Sequence, residues 1–428
     1  MRQLSLFHMF FFITIALVAV MPIAAMGIEM ILSLAPILFF GAVMVCLFVL
    51  FIGESALTSR THFRFPMYLR FYILFCISLL LWTYDITEAS PQEIILLFIK
   101  NIYVFAIYSF FLIENVDFSE RFINTLTKLM KFTIIISFIV VLIQVFFDRH
   151  FLVSELFRQS HWGLEHGIQY RHPSIFSWLG FSALGFSLPI IFALLIPEIK
   201  KNKRQSILYF SMVLVVVFLT KTRYVMLSFL IVLTLFTQAK GFMLVRVLKY
   251  VSFIILSAFL VYLGGFIFGI DMNYFIHSRI LSDVSTRFLA FDVFFKLFPK
   301  SMLVGAGSTL SSELLQEIGG RSSQIHVGWL ALFYHYGLIG GFLYIGFIFF
   351  LMRRLWRIGK VLGKWGPFVG MLTFVIANFT LVNLFVFQMG HILAMVFKRY
   401  YEQQIHEMQN QTINGNQLEI KQIENTIH

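Results

Sequence analysis

Long apolar runs separated by short polar segments make up most of the chain. Many of these runs approach the roughly 20 residues that an α-helix needs to cross the hydrocarbon of a bilayer. The pattern therefore predicts an all-α, polytopic membrane protein with about twelve spanning helices. We place the spans at residues 7–26, 30–52, 67–84, 94–114, 130–148, 174–197, 206–220, 224–239, 249–270, 326–352, 367–384 and 385–399.

The same pattern sets the expected domain organisation. Residues 1–400 form a single membrane domain, and a polar tail follows over residues 401–428. The longest interruption between spans is the loop 271–325, which lies between the predicted ninth and tenth helices. Within this loop, residues 285–300 predict an amphipathic helix that ends near Pro299.

Basic residues concentrate on one side of this layout, in the segments 59–65, 200–204, 240–249 and 353–364. The opposite side includes residues 85–93, which contain no Lys or Arg. Because cytoplasmic loops of membrane proteins retain an excess of Lys and Arg, the basic side is predicted to be cytoplasmic. Both termini then lie in the cytoplasm, and the loop 271–325 lies on the opposite, outer side.

Composition agrees with a membrane protein and excludes several other classes. The 428 residues are 59% hydrophobic and only 13% charged, against about 25% charged in soluble domains. The net charge of +12 is attributed to cytoplasmic anchoring, so we expect no nucleic-acid partner. Cys46 and Cys76 fall inside apolar runs, which argues against a disulfide framework or a cysteine metal site.

Two cations stand where a membrane protein would ordinarily exclude them. Lys221 and Arg223 lie between two predicted spans with almost no loop around them. A charge at membrane depth costs about 2.5–3.5 kcal/mol on insertion scales. Two interpretations remain open: the cations line a polar cavity that holds an anion, or they snorkel to lipid headgroups.

The large outer loop contains two further candidate arginines, Arg279 and Arg287. Guanidinium groups are permanently charged, planar forks that match phosphate oxygens. Salt bridges to Asp283 or Asp292 are the alternative role. No outer segment contains a D-x-D pair, so we expect any diphosphate to be bound without a metal ion.

Histidines supply the candidate acid–base chemistry. His326 stands at the start of the tenth predicted span, directly after the large loop. A neutral imidazole can accept a hydroxyl proton near pH 7, although interfacial packing is the commoner role of such a histidine. Arg171 and His172 belong to the outer segment 148–173. Its histidine spacing favours a substrate-lining or interfacial loop over a metal site.

Three segments, taken in order, resemble the bacterial O-antigen polymerase and O-antigen ligase superfamily. "LTKTRYVMLSFLIVL" (219–233) is similar to its helix end followed by a small polar residue and Arg. "STRFLAFDVFFKLFPKSMLVGAGSTL" (285–310) resembles its Arg, amphipathic segment, Pro and GxG turn. "HVGWLALFYHYGLIGGFLY" (326–344) is similar to its His and "GLIG" helix. The chain departs from the pattern at Val327, where a polar residue is common, and at Lys221, where a small residue is usual.

The resemblance implies a cofactor-independent membrane glycosyltransferase that acts on undecaprenyl-diphosphate-linked glycans. Arg223 and Arg287 would bind the donor diphosphate, and His326 would assist the acceptor hydroxyl. Lys221, Arg279, Arg171 and His172 are candidate substrate-lining residues.

The implied location is the bacterial inner membrane, with the active site on the periplasmic face. A polymerase, which joins lipid-linked repeat units, is preferred to a ligase, which transfers the glycan to lipid A–core. A transporter of lipid-linked glycans is the alternative from another class. Besides the glycan carrier and the bilayer, a chain-length regulator protein is an expected partner.

Overall fold

The computed structural model describes residues 64–87, 107, 110–111, 113–153, 172–176, 180–220, 223–236, 291, 294–295, 298–305, 327–379 and 389–427. Within these ranges all regular secondary structure is helical, which confirms the all-α prediction for the described part of the chain. The α-helices are α1 Met67–Thr87, α2 Glu120–Phe146, α3 Gly180–Ile199, α4 Lys203–Leu219, α5 Arg223–Phe236, α6 Gly328–Leu362, α7 Gly366–Ala377 and α8 Met389–Ile427. Short 3₁₀ helices cover Ser174–Phe176 and Phe298–Ser301.

Two of these helices, α2 and α6, are long and apolar enough to cross a membrane, with mean hydropathy of 2.5 and 1.7. α2 is apolar on both faces, since Met130 and Ile134 are buried while Phe132 and Ile139 are exposed. A helix that is apolar all round is suited to a lipid environment. The two helices indicate a membrane association. The count of twelve stays a prediction, because the first, second and ninth predicted spans lie outside the described residues.

Local sequence signals explain where several helices begin and end. Ser119 caps α2 by accepting a hydrogen bond from the backbone N–H of Phe122. Asn202 caps α4 in the same way for the N–H groups of Arg204 and Gln205. Such side chains satisfy backbone donors that have no partner within the helix.

α6 extends past the predicted span 326–352 and through the first part of the basic segment that follows it. Leu351, Leu355 and Ile358 are buried at helical spacing, so an apolar face continues beyond the span. The helix ends at Gly363, whose φ of 68° is favourable for glycine and unfavourable for other residues. The basic residues of this segment therefore stand on a helix, except Lys364, which follows its end.

α3 forms the centre of the described bundle. Residues 187–196 are all buried, because α2, α4, α5, α7 and α8 pack around this helix. α1 lies to one side and packs against α6. Aromatic side chains fill that contact, with ring centroids 4.7 Å apart for Tyr72 and Phe347 and 5.0 Å apart for Phe75 and Tyr344.

The last helix, α8, joins the bundle to the polar end of the chain. Its first part packs against α3, α6 and α7. Residues 390–399 are all buried, and Tyr400 after them is partly exposed. The helix then continues without a break into the polar segment 401–428, as far as Ile427.

Candidate functional site

The structure describes two of the seven candidate site residues. Arg223 is the first residue of α5, so its position at a helix start is known, while its side chain is not described. His172 is half-buried and precedes the 3₁₀ helix Ser174–Phe176. The remaining five candidates lie outside the described residues: Lys221, Arg279, Arg287, His326 and Arg171.

A buried glutamine of α2 holds the chain just after His172. The Gln144 side chain accepts a hydrogen bond from the Ser174 backbone N–H at 2.9 Å and donates one to the Ser174 carbonyl at 3.1 Å. The Ser174 hydroxyl donates to the Ser137 carbonyl at 2.7 Å. Ser174 adopts a positive φ of 57°, which these contacts stabilise. They fix the backbone next to His172 against α2.

The start of α6, directly after His326, is anchored to α7. Val327 is buried at the N-terminal boundary of the helix. The indole N–H of Trp329 donates a hydrogen bond to the Val375 carbonyl at 3.2 Å. α5, the helix that begins with Arg223, also packs against α7. The two helices that carry or follow candidate site residues thus share one neighbour.

α6 is interrupted at Gly337, where the backbone adopts φ 63° and ψ −169°. This combination is accessible essentially only to glycine. Beyond the interruption, the N–H groups of Leu338 and Ile339 donate to the carbonyls of Met302 and Leu303 at 2.9 and 3.3 Å. Backbone donors at the start of a helical segment lack partners within it, and here the turn after Phe298–Ser301 supplies them.

Two glycines allow this approach of backbone to backbone. A Cβ atom on Gly337 would lie 2.3 Å from the Leu303 carbonyl oxygen, and one on Gly305 would lie 2.4 Å from the His335 carbonyl oxygen. Gly305 also has a positive φ of 83°. We call residues 302–305 and 335–339 the glycine contact. It joins Gly305, the first residue of the predicted GxG turn, to the "GLIG" helix.

The described residues also contain a buried group of charges that the sequence interpretation did not single out. Glu114, at the end of a predicted span, accepts hydrogen bonds from Lys398 and from the Tyr68 hydroxyl, the latter at 2.6 Å. Arg354 lies 3.4 Å from the second carboxylate oxygen of Glu114. Glu402 completes the group. We call these five residues the Glu114 cluster.

Glu402 connects the cations of the cluster. It receives a two-pronged contact from Arg354, with Nε and Nη2 at 2.9 and 3.0 Å from its two oxygens. It also lies 3.2 Å from Lys398 Nζ, one helical turn earlier on α8. Arg354 and Lys398 both approach the Tyr68 ring, at 5.7 and 5.2 Å from its centroid. Two cations and two carboxylates therefore balance one another.

Burial makes this balance necessary. The side chains of Lys398 and Glu114 are 0% and 1% exposed. An ion in an apolar interior loses its hydration and is tolerated only when partners replace the water. Because Tyr68, Arg354 and Lys398 all donate to the Glu114 carboxylate, we assign to the cluster the role of holding α1, α6 and α8 together.

A second pair of charges lies beside the cluster. Arg399 contacts the Asp117 carboxylate and donates from Nε to the Val116 carbonyl at 3.1 Å. The neighbouring Phe118 backbone N–H donates to the Gln403 side chain at 3.1 Å. The segment between the helical residue Asn115 and α2 is thereby tied to α8.

The sequence contained a signal for the Glu114 cluster. Glu114 and Lys398 each stand at the end of a predicted span on the basic side of the layout. Charged residues at such positions are expected to pair inside a bundle. Which residues pair could not be inferred, because Glu114 and Lys398 are 284 positions apart. The sequence interpretation treated the cations as anchors only.

Comparison of the sequence with known protein families and with curated proteins gives no match. Among the described residues, no three His, Cys, Asp or Glu side chains are grouped so as to hold a metal ion.

Proposed function

We propose that the chain is a membrane glycosyltransferase that polymerises undecaprenyl-diphosphate-linked repeat units of a surface polysaccharide. The ordered occurrence of three motifs, around Arg223, around Arg287 and from His326 onward, carries this proposal. Each motif is short, but their order, together with the large outer loop, resembles the O-antigen polymerase and ligase superfamily.

The glycine contact supports the proposal from the described residues. It brings the end of the Arg287 motif against the helix that follows His326, through the hydrogen bonds of Leu338 and Ile339 to the turn. α5 and α6 share α7 as a neighbour, which is compatible with Arg223 lying near the same end of the bundle. A single pocket requires these segments to converge.

The proposed chemistry is an inverting transfer without a metal ion or a covalent enzyme intermediate. An acceptor hydroxyl attacks C1 of the donor sugar, and the bond from C1 to the diphosphate oxygen breaks. Arg223 and Arg287 stabilise the negative charge that grows on the leaving diphosphate. Removing one preorganised group of this kind typically costs about 10²–10³-fold in rate.

His326 acts in this scheme as the general base for the acceptor hydroxyl, a role worth about 10²–10⁴-fold. Its position at the start of a spanning helix suits the substrate, whose polyprenyl tail stays in lipid while its sugars reach into water. The site faces the periplasm of a bacterial inner membrane, and both termini lie in the cytoplasm. Lys221, Arg279, Arg171 and His172 line the substrate path.

Reconstitution of the purified protein with lipid-linked repeat units tests the proposal. The native chain is expected to form a ladder of polymers, and Arg287→Ala and His326→Ala are expected to abolish it. Arg353→Ala is the matched control, since Arg353 is exposed on the last turns of α6. Normal ladders from both site variants, at equal protein abundance, would exclude the assigned site.

The same system separates the competing functions. A ligase would leave lipid-linked repeats unjoined and transfer glycan only when lipid A–core is added. A transporter would move the intact lipid-linked repeat across the bilayer without forming a glycosidic bond. In cells, loss of a polymerase leaves single-repeat lipopolysaccharide, whereas loss of a ligase leaves polymer on the lipid carrier.

A further inference from the structure

A cavity of about 570 Å³ opens beside the Glu114 cluster, on the side that the sequence predicts to be cytoplasmic. It lies between the segment before α1, the last turns of α6 and the middle of α8. Its charged lining consists of Arg64, Arg354, Arg357 and Arg399 together with Asp117, Glu402 and Glu407.

Among the described residues, two of the four arginines that line this cavity form ion pairs and two do not. Arg354 is bound to Glu114 and Glu402, and Arg399 is bound to Asp117. Arg64 and Arg357 are exposed, and within the described ranges neither has a carboxylate at ion-pair distance. The like charges of Arg64 and Arg399 also repel each other. An anion in the cavity would relieve this repulsion.

The arrangement of donors indicates the class of anion. The four guanidinium groups come from three separate elements, so they approach one volume from different directions. Guanidinium forks bind phosphate oxygens with paired hydrogen bonds. The lining contains four arginines and three carboxylates, so its excess of positive charge is small. A small excess favours a small anion of one or two charges over a long polyanion.

The surroundings of the cavity match the headgroup level of a bilayer. Ile358 and Ile405 contribute apolar surface to its lining. Next to Arg357, Trp356 is 45% exposed and packs against Trp365 and Phe368 at 5.0 and 5.2 Å between ring centroids. Tryptophans concentrate where hydrocarbon meets headgroups, and basic pockets between helices on the cytoplasmic side bind acidic headgroups.

We propose that this cavity binds a phosphate group, which in a bilayer is supplied by the headgroup of an acidic phospholipid. Arg64 and Arg357 bind the phosphate oxygens, and Arg399 adds its charge from the floor of the cavity. The bound headgroup links the segment before α1 to α6 and α8. This site is separate from the proposed glycosyl-transfer site and does not depend on that function.

The test measures lipid binding by the purified full-length chain and by two charge-matched variants. Arg64→Gln/Arg357→Gln removes the unpaired cations of the cavity. Arg121→Gln/Arg353→Gln removes two exposed arginines that do not line it. Each protein is titrated with phosphatidylglycerol in mixed micelles with an uncharged, phosphate-free detergent, and bound lipid is counted by native mass spectrometry. Melting temperatures without added lipid establish that all three proteins are folded.

The cavity variant is expected to bind phosphatidylglycerol at least about tenfold more weakly than the native chain does. This change in affinity corresponds to the loss of one charge-assisted contact. The affinity of the control variant is expected to stay within about twofold of the native value. A parallel titration with inorganic phosphate separates the two sources of the group. Stabilisation by phosphate alone, lost in the cavity variant, supports the phosphate site with a soluble ligand. Equal binding of both probes by the cavity and control variants would overturn the proposal.

Discussion

The two ends of α6 are held by different kinds of contact. At the glycine contact, the backbone N–H groups of Leu338 and Ile339 donate to backbone carbonyls of the turn. At the other end, Arg354 belongs to a cluster in which side-chain charges satisfy one another. Both solutions provide partners for polar groups among apolar helices, where water does not supply them.

The contacts at the two ends of α6 depend on different features of the sequence. The glycine contact requires the absence of a side chain at Gly305 and Gly337. The Glu114 cluster requires particular charges at four positions. A substitution that adds volume should therefore weaken the glycine contact, and one that removes a charge should weaken the Glu114 cluster.

The largest effect is expected from breaking the buried pair of the Glu114 cluster. Lys398→Met leaves the cluster with one net negative charge, because Arg354 alone then faces the carboxylates of Glu114 and Glu402. Removal of one partner of a buried pair costs about 3–5 kcal/mol. Thermal unfolding of the purified protein in detergent measures the loss. The double variant Glu114→Gln/Lys398→Met should regain most of it, because Arg354 and Glu402 still neutralise each other. Additive losses in the double variant would show that the two charges do not compensate one another.

Next in size is the effect of adding a methyl group at the glycine contact. Gly337→Ala combines an unfavourable backbone conformation, worth about 1–3 kcal/mol, with a clash against the Leu303 carbonyl. Gly363→Ala is the control for a positive φ without a clash, because Gly363 has φ 68° and ψ 10° and a Cβ there would meet open space. We expect a larger fall in melting temperature for Gly337→Ala than for Gly363→Ala. Equal falls would mean that the close approach to the turn contributes nothing.

A smaller effect is expected when the Glu114 cluster keeps its charges but loses one neutral donor. Tyr68→Phe removes the hydroxyl that donates to Glu114 and retains the ring that Arg354 and Lys398 approach. A hydrogen bond to a charged group contributes about 1.5–3 kcal/mol. The loss on thermal unfolding should be smaller than that for Lys398→Met. If Tyr68→Phe lost as much stability as Lys398→Met, the Tyr68 hydroxyl, rather than the balance of charges, would be the main group that stabilises Glu114.

The smallest effect is expected for an ion pair at the surface. Glu198 and Lys201 are 2.8 Å apart, but their side chains are 44% and 73% exposed. Water and salt screen such pairs, so most contribute little to stability. Lys201→Gln should leave the melting temperature within experimental scatter. A clear fall in melting temperature would show that this exposed ion pair contributes to stability as a buried pair does.

Part of the fold could be predicted from the sequence because helix formation in apolar segments is local. The helices α1, α2, α3 and α6 overlap runs recognised by their hydropathy. α6 continues past the predicted span boundary at residue 352, and hydropathy did not predict this continuation. Buried Leu355 and Ile358 continue the helix because they still have a core to pack against.

The structure describes fewer of the predicted site residues than of the predicted helices. Arg223 stands at a helix start, and His172 stands beside the turn that Gln144 holds. Roles for Arg287 and His326 rest on the family resemblance, because those positions lie outside the described residues. The glycines of the two motifs were recognised as turn and helix signals, while their contact with each other was not.

The sequence by itself determined which segments are helical and apolar, and it marked the glycines and the charges that interrupt them. Hydropathy and backbone preference act over a few residues, so they can be read along the chain. Only the tertiary structure decided that Gly305 meets the backbone at His335 and that Glu114 meets Lys398. Those pairings depend on which helices pack side by side, and that choice is made by the summed contacts of the whole bundle.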